Sequence, residues 1–191
     1  MLDLGSSAAL MLSSNYTGEQ RLLSEKRIST AALGGVKTVD VFTIPSVSFE
    51  ALGVFNIPTL GMRAWLSNST VGNIGLPFIA KSDVVFDVTA GFVWLRPLPP
   101  RHRLPMLKDR SGLGLAASAT ALTIAHVAVN SPAEKGGWAI GVRIVAVNSH
   151  PIDEDYTHSK LWRWRFGPAG TLIKLETATG ERRVLRLADY Y

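Results

Sequence analysis

The chain contains no cysteine. This absence excludes disulfide bonds, a thiolate nucleophile of the cysteine-protease kind and a metal site built on sulfur ligands. No apolar stretch approaches the roughly 18 residues that a membrane span needs, and the N-terminal segment carries Asp3 but lacks the basic region of a secretory signal. The sequence therefore predicts neither a membrane span nor a signal peptide. It leaves the compartment open, including whether a longer form is exported.

The chain also lacks a concentrated patch of one charge. Its 20 Lys and Arg residues exceed its 15 Asp and Glu residues by only five, and they are spread along the sequence without a nucleic-acid recognition motif. The four histidines are scattered, with no pair at the i,i+4 spacing typical of metal ligands on one helix face. We therefore expect no nucleic-acid partner, no metal site and no cofactor.

A proline-rich stretch divides the sequence. Residues 96–105 contain four prolines, which disfavour both helix and sheet and are typical of an extended, semi-rigid spacer. We predict a linker over 98–109 between a first domain at 1–97 and a second at 110–191. Neither part repeats the other.

The first part is predicted to be mainly β with short helices. Residues 38–49 and 54–66 are rich in β-branched and aromatic residues, as strands are. Residues 84–87 and 92–95 flank a short connection ending in Gly91, a residue suited to the positive φ of a tight turn. We expect these two runs to form a hairpin.

Asp3 is the candidate catalytic residue of this part. Gly5, which lacks a Cβ, allows the backbone to approach the carboxylate, and the Ser6 hydroxyl is placed to hydrogen-bond its outer oxygen. Two such carboxylates held close together share one proton, so that one acts as a base towards water and the other as an acid towards a carbonyl. Asp3 supplies only one of the two. On its own, an Asp two residues before a Gly is also typical of a simple turn.

Residues 1–97 resemble one lobe of the retropepsin-like aspartic peptidases, in particular the second lobe of bacterial two-lobed forms. The motifs that carry the resemblance occur in the family order: Asp3-Leu4-Gly5-Ser6, Asn73-Ile74-Gly75 and Val85-Phe86-Asp87. The resemblance implies that Asp3 belongs to a catalytic dyad, whose other member comes from a missing N-terminal lobe or from a second copy of the chain. Leu4 replaces the family threonine that bonds across the lobe interface. Asn73 replaces an apolar residue, and its amide is expected to satisfy a backbone group.

The second part resembles a PDZ domain, a β-sandwich or partial barrel with two helices. Leu113-Gly114-Leu115 matches the glycine loop of that family, and the matching elements that follow are a strand at 122–127, a turn and short helix at 130–133, a strand at 142–148, a groove helix at 153–166 and strands at 172–177 and 182–187. In this resemblance, the N–H groups of Leu113, Gly114 and Leu115 form a nest for the terminal carboxylate of a peptide, which adds a strand beside the sheet edge. The Leu113 and Leu115 side chains are expected to help line the pocket.

Two functions remain open from the sequence. The first is an aspartic-type endopeptidase fragment or half-enzyme whose PDZ module binds peptides or protein C-termini. The second is a non-catalytic peptide-binding or scaffolding protein with a degenerate peptidase-like lobe. Asp3 favours the enzyme, whereas Leu4 favours the scaffold.

Overall fold

The protein is mainly β, with few and short helices. The structure, a computed structural model, describes residues 1–19, 27–32, 35–49, 52–63, 65 and 69–191. The chain divides into two compact units: the first comprises residues 1–24 and 40–107, and the second comprises residues 25–39 and 108–191. Among the described residues, no helix combines the length and the apolar character needed to cross a membrane.

The first unit is built on a sheet in which strand order departs from chain order. Its elements are β1 (Leu2–Asp3), β2 (Leu10–Ser13), α1 (Ser14–Glu19), β4 (Gly35–Phe49, within this unit from Asp40 onward), β5 (Leu52–Met62), β6 (Gly72–Gly75) and α2 (Leu76–Ile79). The order β1-β6-β2-β5-β4 inserts β6 between two strands that are consecutive in the chain. β4 confirms the strand predicted at 38–49. β5 confirms the first part of the strand predicted at 54–66, as far as Met62. Residues 64 and 66 lie outside the described residues.

Buried apolar side chains on one face of this sheet form the core of the first unit. Leu10 and Leu12 of β2 alternate with Met11, as expected of a strand with one buried face. They pack with Phe42, Ile57 and other buried residues of β4, β5 and α2.

The predicted hairpin is confirmed. It consists of β7 (Ser82–Asp87) and β8 (Phe92–Pro97), which form a separate two-stranded antiparallel sheet. In the turn, the Ala90 N–H donates to the Asp87 carboxylate at 2.8 Å, and Gly91 has φ +73°.

The proline-rich segment as far as Leu107 belongs to the first unit. It forms a 3₁₀ turn at Pro100–His102 and is fastened by two cations. Arg103 donates to Leu98 O at 2.7 Å and to Gly53 O at 3.2 Å, and the buried Lys81 ammonium donates to Leu104 O. Burial, followed by the positive charge of Arg103, lowers the pKa of Lys81. The proline pattern alone gave no signal of these anchors.

The second unit contains β3 (Arg27–Ala32), the first residues of β4, and a second sheet. That sheet has the order β14-β13-β11-β10-β9, built from β9 (Leu113–Ala117), β10 (Leu122–Val127), β11 (Arg143–Val147), β13 (Leu172–Thr177) and β14 (Arg182–Arg186), and β12 (His150–Pro151) pairs with β11. The strands predicted at 122–127, 142–148, 172–177 and 182–187 are therefore confirmed to within a residue or so at each end, and the predicted short helix is α3 (Pro132–Lys135). Some Cα atoms of β3 lie within 8 Å of β9 and β10, but β3 is not hydrogen-bonded to β9.

The continuous groove helix predicted at 153–166 is wrong. The structure has two 3₁₀ segments there, Tyr156–His158 and Lys160–Phe166, separated by Ser159 in an extended conformation. The Ser159 hydroxyl donates to Tyr156 O at 2.7 Å and accepts from Leu161 N–H at 3.2 Å. Because this side chain bonds to the backbone on both sides, it ends one turn and begins the next.

Candidate functional site

The loop that carries Asp3 connects β1 to β2 across the end of β6. β1 runs parallel to β6, with Asp3 opposite Gly75, and β2 runs antiparallel to β6 on its other side. Residues 4–9 therefore pass over the C-terminal end of β6. This topology brings the first and second motifs of the sequence into direct contact.

Gly75 is required where this loop crosses. A Cβ at this position would lie 1.9 Å from Ala8 O, a distance that backbone atoms cannot accommodate without moving. The Gly75 N–H donates to Ala9 O at 3.0 Å, and the next N–H, from Leu76, donates to Ser6 O at 3.1 Å. The loop that carries Asp3 is thus packed directly on the glycine of the Asn73-Ile74-Gly75 triplet.

Both oxygens of the half-buried Asp3 carboxylate accept a hydrogen bond. Oδ1 accepts from Gly5 N–H at 3.0 Å, and Oδ2 accepts from the Asn73 side-chain amide at 3.3 Å. The predicted close approach of the Gly5 backbone is therefore present. Two donors on one carboxylate fix its orientation.

Two expectations about the neighbours of Asp3 are wrong. The Ser6 hydroxyl bonds to Ala8, accepting from its N–H at 3.2 Å and lying 3.3 Å from its carbonyl oxygen, because a serine two residues before an amide readily closes a local turn. Asn73 donates to the carboxylate rather than to a backbone group. Asn73 is the site residue that the sequence reasoning misjudged, although a polar residue in an otherwise apolar triplet was a visible signal.

The other Asp side chains of the first unit are held elsewhere. Asp40 pairs with Arg63 at 3.2 Å, Asp83 pairs with Arg96 at 2.8 Å, and Asp87 caps the hairpin turn. Leu4, beside Asp3, is 50% exposed. Within the described part of this unit, Asp3 is therefore a single carboxylate at an apolar, exposed edge.

The second candidate site is the outer edge of β9. Ile124 of β10 donates its N–H to Val142 O at 2.9 Å and accepts from Gly141 N–H at 2.8 Å, so both groups point away from β9. Leu115 is opposite Ile124, and this pair is consequently of the non-hydrogen-bonded kind. The N–H and C=O of Leu115 therefore face outward, where no strand among the described residues pairs with β9.

The three predicted donors do not point the same way. Gly112 O accepts from Ala128 N–H at 2.8 Å, so it points towards β10. The backbone groups of Gly114, two residues further on and opposite His126, point towards β10 as well. Leu113 faces outward, but its N–H donates to the Ser111 hydroxyl at 3.1 Å. Of the three, Leu115 alone presents an outward N–H that is not engaged within the described residues.

The predicted pocket side chains also differ from expectation. Leu113 is only 2% exposed and lies in the core of the second unit, whereas Leu115 is half-buried and packs against that core from its edge. Leu115 is therefore the better placed of the two to contact a ligand.

The segment before β9 is organised around the carboxylate of Asp109. Its Oδ1 accepts from Ser111 N–H at 2.8 Å, from the Ser111 hydroxyl at 2.9 Å and from Gly112 N–H at 2.9 Å. Its Oδ2 lies 3.6 Å from Nε of Arg165, and the two side chains are only 14% and 18% exposed. Gly112 has φ +77°, and a Cβ there would lie 2.1 Å from the Ser131 Cβ, so no other residue fits.

The C-terminal residues hold this segment in place. Asp109 N–H donates to the Tyr191 hydroxyl at 3.2 Å, Ala188 N–H donates to Arg110 O at 3.1 Å, and Arg110 pairs with Asp189 at 2.9 Å. Burial, followed by the negative charge of Asp109, raises the pKa of Tyr190. The loop at the start of β9 is thus fixed on several sides.

Within the ranges that the structure describes, no three His, Asp or Glu side chains are gathered as ion ligands.

No family model matches the chain, and no curated protein matches its sequence.

Proposed function

We propose that the chain is one lobe of a retropepsin-like aspartic endopeptidase joined to a PDZ domain that binds extended peptides. The observation that carries the proposal is the Asp3 carboxylate, oriented by Gly5 and Asn73 on a loop that is seated on Gly75. The inserted position of β6 supports it, because that strand holds the carboxylate and its amide donor together. In this proposal, 1–97 form the lobe and 110–191 the PDZ domain.

Catalysis requires a second carboxylate opposite Asp3, from another lobe or from a second copy related by a two-fold axis. The ionised member of the pair takes a proton from water, whose oxygen attacks the peptide carbonyl. The protonated member donates its proton to the carbonyl oxygen, which gives a neutral gem-diol. The carboxyl that took the proton from water then passes it to the amide nitrogen, while the other carboxylate takes a proton from a gem-diol hydroxyl. The C–N bond breaks, the amine and the carboxylic acid leave, and the pair again holds one proton. The exposed Leu4 beside Asp3 gives an apolar surface for the partner.

The test begins with the protein purified from its native source. A mass well above 20.7 kDa together with cleavage of peptide substrates at mildly acidic pH is expected if the second carboxylate is on the same chain. At 20.7 kDa, activity per chain should rise with chain concentration, and an excess of Asp3→Asn chains should suppress wild-type activity by forming mixed pairs. Cleavage that persists when every chain carries Asp3→Asn would refute the aspartic mechanism.

The second candidate function is peptide binding without catalysis. It is favoured by Leu4, which cannot make the hydroxyl bond that resemblance to the family implies at the lobe interface, and by the outer edge of β9, with which no strand among the described residues pairs. An inactive native protein that binds peptides at β9 would establish this candidate over the first.

A further inference from the structure

The donors at the start of β9 are already engaged by a carboxylate of the chain itself. Asp109 Oδ1 receives three hydrogen bonds of 2.8 to 2.9 Å, two of them from successive backbone N–H groups. A peptide terminus would bring the same chemical group to the same kind of donor. Asp109 therefore stands where an anion bound by this loop would be expected.

The remaining groups near the loop are also committed. The Ser111 hydroxyl, which donates to Asp109, accepts from Leu113 N–H at 3.1 Å, and this removes the first outward donor of β9. Arg165, the nearest cation, is 3.6 Å from Asp109, and its Nη1 donates to Leu113 O at 3.5 Å. Its guanidinium also lies over the Trp162 ring, 4.5 Å from the centroid, which holds it in this orientation.

A terminal carboxylate would have to displace Asp109 to reach these groups. The displaced carboxylate would lose three hydrogen bonds and a cation while largely buried, which is unfavourable. Binding to the outward N–H and C=O of Leu115 does not require displacement of Asp109, because these two groups match the amide groups found anywhere along an extended peptide.

We propose that the β9 edge binds internal extended segments of polypeptides, and that Asp109 excludes peptide C-termini from it. This inference rests on the proposed peptide-binding function and narrows its ligand class. In this inference the protein recognises its ligand by strand addition, with Leu115 as the central backbone contact, and not by binding a chain end. Asp109 and Ser111 determine the specificity without contacting the ligand.

The experiment selects random dodecapeptides for binding to the full chain. The peptides are displayed in two formats, one with a free C-terminus and one inside a loop of a carrier protein. Selected sequences are then measured by fluorescence anisotropy as the free acid, as the C-terminal amide and with two added C-terminal residues. The wild-type protein is expected to bind all three forms within about a factor of three, because no charge-assisted bond distinguishes them. Asp109→Ala should bind the acid at least about ten-fold more tightly than the amide, since it removes the acceptor of the loop donors and the partner of Arg165.

Ser111→Ala provides a second variant if Asp109→Ala does not fold. It frees the Leu113 N–H and keeps the Asp109–Arg165 pair, and we expect a smaller preference for the acid, of about three-fold. Wild-type protein that binds the acid about ten-fold more tightly than the amide would overturn the inference while leaving peptide binding intact. Failure of all forms to bind wild type and both variants would instead refute the proposed peptide-binding function.

Discussion

Asp3 in the first unit and Asp109 in the second lie in turns of the same local kind, yet their surroundings differ. Each accepts a hydrogen bond from the backbone N–H two residues ahead, from Gly5 in one case and Ser111 in the other. Asp3 has one further donor, the Asn73 amide, and stands beside the exposed Leu4. Asp109 has two further donors and a cation, and is nearly buried.

The difference shows what a short motif can and cannot specify. The turn is local, because it depends on an acceptor side chain and a nearby N–H. The availability of the carboxylate depends on groups far away in sequence. Asp3 is presented towards an open edge, which suits chemistry, whereas Asp109 is satisfied by its own chain, which suits a structural role.

The largest expected contrast comes from replacing each carboxylate by its amide. If the proposed endopeptidase function holds, Asp3→Asn should lower the activity at least about 1,000-fold, which corresponds to about 4 kcal/mol, because the proposed dyad would lose one of its two ionisable groups. Its free energy of unfolding should change by less than about 0.5 kcal/mol, since the site is at an exposed edge. Activity assays and urea titrations on the same samples test this. A large loss of stability would indicate that Asp3 is a structural turn residue.

Asp109→Asn should show the opposite pattern. It removes the charge that holds Ser111, Gly112 and Arg165, and should lower the free energy of unfolding by about 1.5–3 kcal/mol. If the proposed endopeptidase function holds, the activity per folded molecule should remain at the wild-type level. Urea unfolding followed by the tryptophans of the second unit gives the measurement, and unchanged stability would mean that the Asp109 contacts contribute little.

Gly75→Ala tests the seat of the Asp3 loop. The new Cβ would lie 1.9 Å from Ala8 O, so we expect a loss of about 1–3 kcal/mol in stability, together with reduced activity from a displaced Asp3. Gly53→Ala is the matched control in the same unit, because its Cβ would meet nothing closer than 3.5 Å. Equal effects of the two substitutions would contradict the importance of the crossing point.

The smallest contrast is in alkaline stability. Burial raises the pKa of Tyr156 from 10.0 to about 12, and it also raises the pKa values of Tyr190 and Tyr191. Unfolded tyrosines ionise at lower pH than these folded ones. The stability they contribute is therefore complete below pH 10.0 and falls as the pH rises towards 12 and beyond.

The second unit should therefore lose stability above about pH 10 before the first unit does. Tyr190→Phe should reduce this loss. It should also raise stability at neutral pH by about 1 kcal/mol, because the Tyr190 hydroxyl is buried without a partner among the described residues. Urea titrations across alkaline pH, with the variant beside wild type, provide the test. An identical pH dependence would exclude Tyr190 as a contributor.

Local patterns predicted much of the fold. The β7–β8 hairpin followed from two β-rich runs around a turn with Gly91. Most strands of the second unit followed from the resemblance of residues 110–191 to a PDZ domain. The groove helix predicted at 153–166 from the same resemblance was wrong because Ser159 bonds to the backbone on both sides, a local feature that a family resemblance does not reveal. The sequence did not predict the anchors of the proline-rich segment, because Lys81 and Arg103 form them with backbone groups that are distant in sequence.

The sequence by itself determined the absence of thiol chemistry, the β-rich character of the chain and the glycines that its turns require. These are properties of composition or of a few adjacent residues, and they survive whatever the rest of the chain does. Only the tertiary structure decided that Asn73 meets Asp3 and that Arg165 meets Asp109. The physical reason is that a side-chain hydrogen bond forms only when the donor–acceptor distance is correct to within a few tenths of an ångström. Packing brings the two groups to that distance, and packing is a property of the whole fold.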